Sequence, residues 1–196
     1  MDKDLKDLIL KNRSYRRYNE HISINNEQLY EFIDIARLTP SARNQQSLRY
    51  LLVNNPSQNA MVFPEINWAG YLSNWDGPVE GERPSAYIII LGIKEGSSIL
   101  DVDLGISAQS ILLASVELGF GGCMIHSFNR KNISQKFNIP DELHPMLIIA
   151  IGKPLEKVVI EEMDVSGDIK YWRDENQVHY VPKRSLDDLI VKFHPL

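Results

Sequence analysis

An unbroken apolar run, SAYIIILGI at residues 85–93, constrains the fold of this chain more than any other feature. The run is far too short to cross a membrane, which needs about 20 apolar residues. Its repeated isoleucines are typical of a central strand that is covered on both faces. The run therefore predicts a sheet that lies between two further layers of the protein.

The predicted helices are consistent with such layers. Residues 101–118 give the clearest helix, because acidic residues occupy its first turn and Gly119 follows as a C-terminal stop. After Ile106 this segment is apolar almost all round, which predicts a buried central helix. Further helices are predicted at residues 1–12, at 26–38 with Asn25 or Ser23 as the cap, and at 130–137, and further strands at 48–54, 122–127 and 145–151, the last closed by residues 152–154. The alternation indicates an α+β or α/β sandwich of three layers.

Two regions lack a clear period. Residues 56–84 are predicted to be mostly loop with one short helix, and their Trp68, Tyr71 and Trp75 form either a stacking lid or a surface hydrophobic cluster. The remainder of the chain, to Leu196, is polar, so we expect an extended arm that packs on another surface, with a partner subunit the obvious candidate. The length of 196 residues predicts a single domain over residues 1–196.

Composition argues against several classes of function. The 21 Lys and Arg residues against 26 Asp and Glu give a net charge of -5, which argues against a nucleic-acid binder. The sequence has no zinc-protease, paired-cysteine or clustered-histidine motif, so no metal site is predicted. We expect a cytoplasmic protein without a membrane segment, whose single cysteine, Cys123, is a buried small hydrophobe. Because no catalytic nucleophile is evident, an enzyme of this sequence would rely on a bound cofactor.

Four polar segments remain as candidate binding elements. Residues 12–17 place two or three guanidiniums and a hydroxyl after a short helix, which suits a phosphate but equally suits a solvated basic turn. Residues 39–46 are rich in Ser, Asn and Gln, which either hydrogen-bond a ribityl chain or a heterocycle or form an ordinary polar loop. In residues 119–128, glycines precede a strand and would let a flat ligand approach the backbone. Residues 182–188 carry a second basic pair.

In this order and spacing, the four segments resemble the nitroreductase family of FMN-dependent oxidoreductases. Asn12 stands where the family often has an arginine, and Ser47 and Leu48 replace its usual Pro-Trp. The resemblance implies an α+β fold: a three-layer α/β/α sandwich with a central, mostly antiparallel sheet and a C-terminal arm exchanged in a dimer. The FMN-binding positions that it implies are Arg13, Ser14 and Arg16 at the phosphate, Pro40, Ser41, Ala42, Asn44 and Gln46 in the second segment, Ile125, His126 and Ser127 along the isoalloxazine ring, and Lys183 and Arg184 returning to the phosphate.

The resemblance also implies a function. It predicts a homodimer with two FMN sites at its interface, which the second segment reaches from the opposite subunit. The expected reaction is ping-pong: hydride passes from NAD(P)H to flavin N5, and then to an electron-poor acceptor such as a nitroaromatic or a quinone. A backbone N–H of His126 or Ser127 is expected near N5, and no side chain is assigned as a catalytic acid or base. Two alternatives stay open: a flavin-binding redox sensor or store without turnover, and a protein whose basic clusters bind another anion.

Overall fold

The computed structural model describes residues 5–93, 100–164 and 166–191. These residues form two compact units. The first unit comprises the described residues up to Trp68 together with Asp76–Leu155. The second unit comprises Ala69–Trp75 together with the described residues from Glu156 onward.

The first unit is built on a five-stranded antiparallel sheet. Its strands are β1 (Tyr18–Asn19), β2 (Leu48–Val53), β3 (Ala86–Ile93), β4 (Gly121–Ile125) and β5 (Leu143–Pro154). Strands β1, β3 and β4 all pair with β5, and β2 joins the sheet through β3. The predicted central strand is β3, which is buried from Ala86 to Gly92 because strands flank both of its edges and side chains cover both of its faces.

Helices cover both faces of this sheet. They are α1 (Leu5–Lys11), α2 (Asn26–Arg37), α3 (Pro56–Val62), α4 (Leu100–Glu117) and α5 (Arg130–Lys136), with 3₁₀ turns at Ala42–Asn44 and Phe63–Glu65. On one face, Ile88 of β3 packs in a cluster with Phe32 of α2 and Ile111 of α4. On the other face, Ile89 of β3 packs in a second cluster with Ile133 of α5. Alternate side chains of β3 thus enter separate cores, which confirms the three-layer α/β/α sandwich.

Local sequence signals set the ends of α2 and α4. Asn25 and Gln28 form a reciprocal capping box at the start of α2, with bonds of 2.9 and 3.0 Å between each side chain and the backbone N–H of the other. Helix α4 ends before Gly119, whose φ of +80° is a left-handed conformation that suits glycine. None of the helices in the described ranges has the length and apolar character needed to span a bilayer.

Strand β5 extends further than the sequence predicts. Residues 152–154 are expected to close the strand, whereas they are part of it and include the two positions that pair with β1. Gly152 permits this arrangement, because a Cβ there would lie 2.9 Å from the Tyr18 side chain. The glycine therefore marks a close approach of two strands rather than a stop.

Strand β4 ends earlier than the sequence predicts. The expected strand runs over residues 122–127, whereas β4 ends at Ile125 and leaves His126 and Ser127 in the loop that follows. Cys123 lies in the middle of β4 and is 4% exposed, which confirms it as a buried small hydrophobe.

The second unit contains a three-stranded sheet and a short helix. Its elements are β6 (Val158–Glu162), β7 (Trp172–Arg173), β8 (His179–Lys183) and α6 (Leu186–Leu189). Strand β8 is central, parallel to β6 and antiparallel to β7. An ion pair of 3.0 Å joins Arg173 to Glu156, and both side chains are almost fully buried. Where an extended arm is expected, the described residues form a small sheet, because strands of two to five residues leave no clear period in a polar sequence.

The aromatic residues of the aperiodic stretch are divided between the two units. Tyr71 and Trp75 belong to the second unit, where Tyr71 lies 5.0 Å from the ring of Tyr171 and Trp75 lies 4.8 Å from the guanidinium of Arg173. Trp68 belongs to the first unit. Tyr71 and Trp75 therefore pack on strand and loop residues from the C-terminal part of the chain.

Candidate functional site

The N-terminal segment that follows α1 lies against the start of β4. The backbone N–H of Tyr15 donates to the carbonyl of Gly122 at 3.1 Å, and Ser14 forms a parallel bridge with Gly122. The Tyr15 ring packs so closely that a Cβ on Gly121 would lie 2.6 Å from it. Packing of this segment accounts for Gly121, where the sequence suggests the approach of a flat ligand.

The three arginines of this segment differ in their contacts. Arg17 is committed to Glu82, with its Nε and Nη2 each 2.6 Å from a carboxylate oxygen. Arg16 Nη1 donates to the Ser14 carbonyl at 3.2 Å. Arg13 Nη2 donates to a carbonyl of α1 at 2.6 Å, and its Nε is buried without a hydrogen-bond partner among the described residues. Arg13 therefore offers a buried donor that an anion could satisfy.

The ring-binding positions predicted in the third segment, Ile125, His126 and Ser127, lie at the other end of β4. A strand advances about 3.3 Å per residue, so His126 lies roughly 13 Å from Gly122 along the chain. Ser127 is held by Asn67, whose backbone N–H donates to the Ser127 carbonyl at 3.0 Å and whose Nδ2 donates to Ser127 Oγ at 3.1 Å. Sequence analysis does not identify Asn67, because the stretch around it has no periodic signal.

The His126 side chain is exposed but not free of contacts. Arg130 Nη2 lies 3.0 Å from His126 Nε2 and 3.1 Å from its carbonyl oxygen. Because a guanidinium can only donate, His126 Nε2 accepts this bond. The guanidinium also lies 4.5 Å from the centre of the Phe128 ring. This bond occupies one ring nitrogen of His126 and supports a backbone role for the residue.

The second predicted segment is anchored by a buried carboxylate on α4. Asp103 Oδ2 accepts from Ser41 Oγ at 2.6 Å, and Asp103 Oδ1 accepts from the Ala42 N–H at 3.0 Å. Ser41 Oγ in turn accepts from the Gln46 N–H at 3.0 Å. The sequence explains an acidic residue at position 103 by the helix dipole alone. Its contacts show that it also shapes the loop that precedes β2.

This loop has a strained backbone. Arg43, Asn44 and Gln46 have φ values of +53°, +53° and +49°, which residues other than glycine rarely adopt. Such conformations cost about 1 kcal/mol or more each and persist where surrounding contacts impose them. A cavity of about 150 Å³ lies beside the loop and is lined in part by Pro40, Gln46 and Asp103. The strain and the cavity make this loop a candidate binding element.

Helix α4 contacts both the first predicted segment, at residues 12–17, and the second, at residues 39–46. Asp103 holds the loop near the start of the helix, and Gln109 Oε1 accepts from Asn12 Nδ2 at 3.3 Å. The two helix positions are about 9 Å apart along the axis. Asn12, where the family pattern often has arginine, thus contacts the helix within the chain.

The basic pair Lys183 and Arg184 lies in the second unit. Lys183 is the last residue of β8, opposite Glu162, and both basic side chains are exposed. Ser185 follows as the cap of α6 and accepts from the Asp188 N–H at 3.2 Å. Lys183 and Arg184 therefore lie at the junction between β8 and α6 within the second unit. Their part in binding the FMN phosphate stays a prediction.

Comparison with known proteins points to one family. The sequence profile described as the nitroreductase family matches residues 83–153, which include β3, α4, β4 and α5. A curated Bacillus subtilis protein, provisionally named NAD(P)H nitroreductase YdgI, is 22% identical over 188 residues, covering 79% of this chain and 90% of the relative.

Solved structures share the fold. A provisionally named nitroreductase from Exiguobacterium sibiricum, solved in complex with FMN, superposes with a TM-score of 0.66 at 18% identity over 79% of this chain and 90% of that chain. An FMN-dependent nitroreductase from Clostridium difficile R20291 gives a TM-score of 0.63 at 22% identity over 95% of this chain and 98% of that chain. These likenesses confirm the α/β fold with an antiparallel sheet that the sequence predicts.

Proposed function

We propose that this chain is an FMN-dependent oxidoreductase. The premise is that the family profile, the curated relatives and the fold all indicate the nitroreductase family. Its reductant is NAD(P)H, and its second substrate is a small electron-poor acceptor such as a nitroaromatic or a quinone. The names of the curated relatives support oxidoreductase chemistry, and the FMN complex of one structural neighbour supports the flavin.

The arrangement of groups along β4 carries this proposal. Arg13, Ser14 and Arg16 lie by the first residues of the strand, and residues 125–127 lie at its last. FMN is elongated, with a phosphate at one end and a flat ring at the other. Groups at the two ends of one strand can therefore bind the phosphate and the ring of the same molecule. The buried Nε of Arg13, unpartnered in the described part of the chain, fits a phosphate oxygen.

The residues of the chain would bind and orient FMN, and bound FMN would supply the hydride chemistry. Arg13 and Arg16 pair with the phosphate, and Ser14 adds a hydroxyl. The loop with Pro40, Ser41, Ala42, Asn44 and Gln46 reaches the FMN of the second subunit in a homodimer. At the other end of β4, Ile125, His126 and Ser127 line the ring through their backbone. Arg130, which is held against His126, supplies positive charge at this end of β4. Such a charge would favour the anionic reduced state of the flavin.

The test is a spectrum followed by an assay. We expect the purified protein to show flavin absorbance, with about one FMN per subunit after reconstitution. Stopped-flow mixing with NADH and with NADPH should bleach that absorbance, and a nitroaromatic or a quinone should restore it. A protein that stays colourless after incubation with FMN would contradict the proposal. Flavin binding without reduction by either nicotinamide would instead favour a redox sensor or store.

A further inference from the structure

A second cavity lies in the first unit, away from the segments assigned to FMN. Its volume is about 270 Å³, and it opens between α3 and the start of β3. The polar side chains that matter here are Glu20, Asn59, Arg83 and Tyr87, while Phe63 and several small residues complete the wall. None of the positions predicted to bind FMN lines this cavity.

Three polar groups beside this cavity have no hydrogen-bond partner in the part of the chain that the structure describes. Tyr87 is only 1% exposed, and its hydroxyl hydrogen-bonds to none of the described residues. Asn59 Nδ2 donates to the Ser85 carbonyl at 2.8 Å, but Asn59 Oδ1 is buried and unpartnered within the described ranges. The Nε of Arg83 is likewise buried and unpartnered there. Asn59 Oδ1 and Arg83 Nε are costly in this state, because each is buried without a partner among the described residues.

The wall also holds one charge of each sign in a fixed place. The guanidinium of Arg83 lies 4.6 Å from the centre of the Phe63 ring, which orients it. Glu20 Oε2 accepts from the backbone N–H groups of Gly81 at 2.6 Å and Arg83 at 3.4 Å, whereas Glu20 Oε1 has no bond in the described part of the chain. Burial raises the pKa of Tyr87, so its hydroxyl stays neutral and can both donate and accept.

We propose that this cavity binds a free α-amino acid through both of its charged groups. The carboxylate of the ligand pairs with Arg83 and accepts from the Tyr87 hydroxyl. Its ammonium donates to the open oxygen of Glu20. A purely anionic ligand would face Glu20 and a purely cationic one would face Arg83, so a zwitterion fits where either ion alone does not. The volume is below that of most pockets for drug-sized ligands, which agrees with a small molecule.

Calorimetric titration of the whole protein tests this assignment. The probes are L-alanine, L-valine and L-methionine, with propionate and ethylamine as analogues that keep only one of the two charges. We expect at least one amino acid to bind and raise the melting temperature, while neither analogue does so at the same concentration. Because no FMN-binding position is involved, binding should not depend on whether the protein is loaded with FMN.

Two substitutions locate the site. Tyr87→Phe removes only the hydroxyl and Arg83→Gln removes the positive charge together with the guanidinium donors, and each should weaken amino-acid binding about tenfold or more. Arg37→Gln, which removes an exposed guanidinium on α2, should leave it unchanged. The proposal is overturned if none of the three amino acids binds, which would leave the cavity to ordered water only. It is equally overturned if binding survives in both cavity variants or if the single-charge analogues bind as well.

Discussion

Arg13, Arg16 and Arg17 lie close together in the sequence but differ in what satisfies their donors. Arg17 makes a bidentate pair with Glu82, and both side chains are about three-quarters buried, so its charge serves the fold. Arg13 and Arg16 flank Ser14, the residue that bridges to the start of β4. We therefore expect FMN binding at this segment to depend on which arginine is changed and not on the number of positive charges.

Replacing Arg16 and Arg17 in parallel tests that division. We expect Arg16→Ala to weaken FMN binding by about 1–3 kcal/mol through the loss of phosphate pairing. Arg17→Ala should lower the melting temperature but leave the FMN affinity of the folded protein close to that of the wild type. Fluorescence titration with FMN measures both variants. An unchanged affinity in Arg16→Ala would place that arginine outside the site.

Asp103 is a single carboxylate that organises the loop around Ser41. In Asp103→Asn, the new amide can still accept from the Ala42 N–H, but its nitrogen cannot accept from the Ser41 hydroxyl. We expect faster hydrogen exchange over residues 39–46 and weaker FMN binding. Asp101→Asn, an exposed change in the same helical turn, is the matched control. Exchange rates that match the control would show that Asp103 does not hold the loop.

At the scale of elements, α5 is tied to the 3₁₀ turn Phe63–Glu65. Lys136 Nζ and Asn132 Nδ2 donate to Glu65 at 2.6 and 2.9 Å. The chain then continues to Asn67, which holds Ser127. The same contacts that join two short elements therefore support the end of β4 where the flavin ring is proposed to lie.

This junction should make stability depend on pH. Hydrogen bonds from Lys136, and to a smaller extent from Asn132, lower the pKa of Glu65 in the folded protein. The stabilisation that the ionised Glu65 contributes is therefore present above the ordinary glutamate pKa of about 4.3. It is lost as pH falls through the lower pKa of the folded state. We expect Glu65→Gln to reduce the free energy of unfolding at about pH 7 and to have a much smaller effect at about pH 3. Urea titrations at both pH values measure this.

Asp34→Asn provides the control for that measurement. The carboxylate of Asp34 pairs with Arg37 on α2, but both side chains are more than half exposed. Solvent screens such a pair, so its loss should change stability little at either pH. An effect of Glu65→Gln that is equal at both pH values would contradict the assigned role of the ionised carboxylate.

At the scale of the whole molecule, several large apolar side chains of the first unit are exposed. Leu5, Tyr30, Leu38 and Val102 are each more than half exposed, and they lie on or beside α1, α2 and α4. Exposed apolar surface of this kind often marks a contact with another protein. These side chains are the positions at which we propose that a second copy of the chain packs.

The dimer has a direct test. We expect sedimentation velocity of the FMN-loaded protein to give twice the mass of the chain, and Val102→Glu to shift the population toward the monomer and to lower its FMN content together. The physical reason is that a charge in a buried apolar contact is costly, and that the loop of residues 40–46 is proposed to reach the FMN of the other subunit. A wild-type protein that binds FMN fully as a monomer would contradict the proposal.

Much of the first unit could be predicted because its signals are local. The burial of β3 follows from its unbroken apolar run, and the ends of α4 follow from its acidic first turn and Gly119. The second unit could not be predicted in the same way, since its strands are short and its buried ion pair of Arg173 and Glu156 looks like ordinary polar surface in a sequence. The candidate site lies between these cases.

The sequence by itself determined the layered architecture and the family resemblance, because hydrophobic period, caps and the order of motifs are properties of neighbouring residues. Only the tertiary structure decided which polar groups are hydrogen-bonded to partners elsewhere in the chain. Arg17 meets Glu82 across 65 positions, Ser41 meets Asp103 across 62 and Asn67 meets Ser127 across 60. A side chain chooses such partners by distance and burial after the core has formed. For that reason, the arginines of the N-terminal segment, which look alike in the sequence, have different contacts in the folded chain.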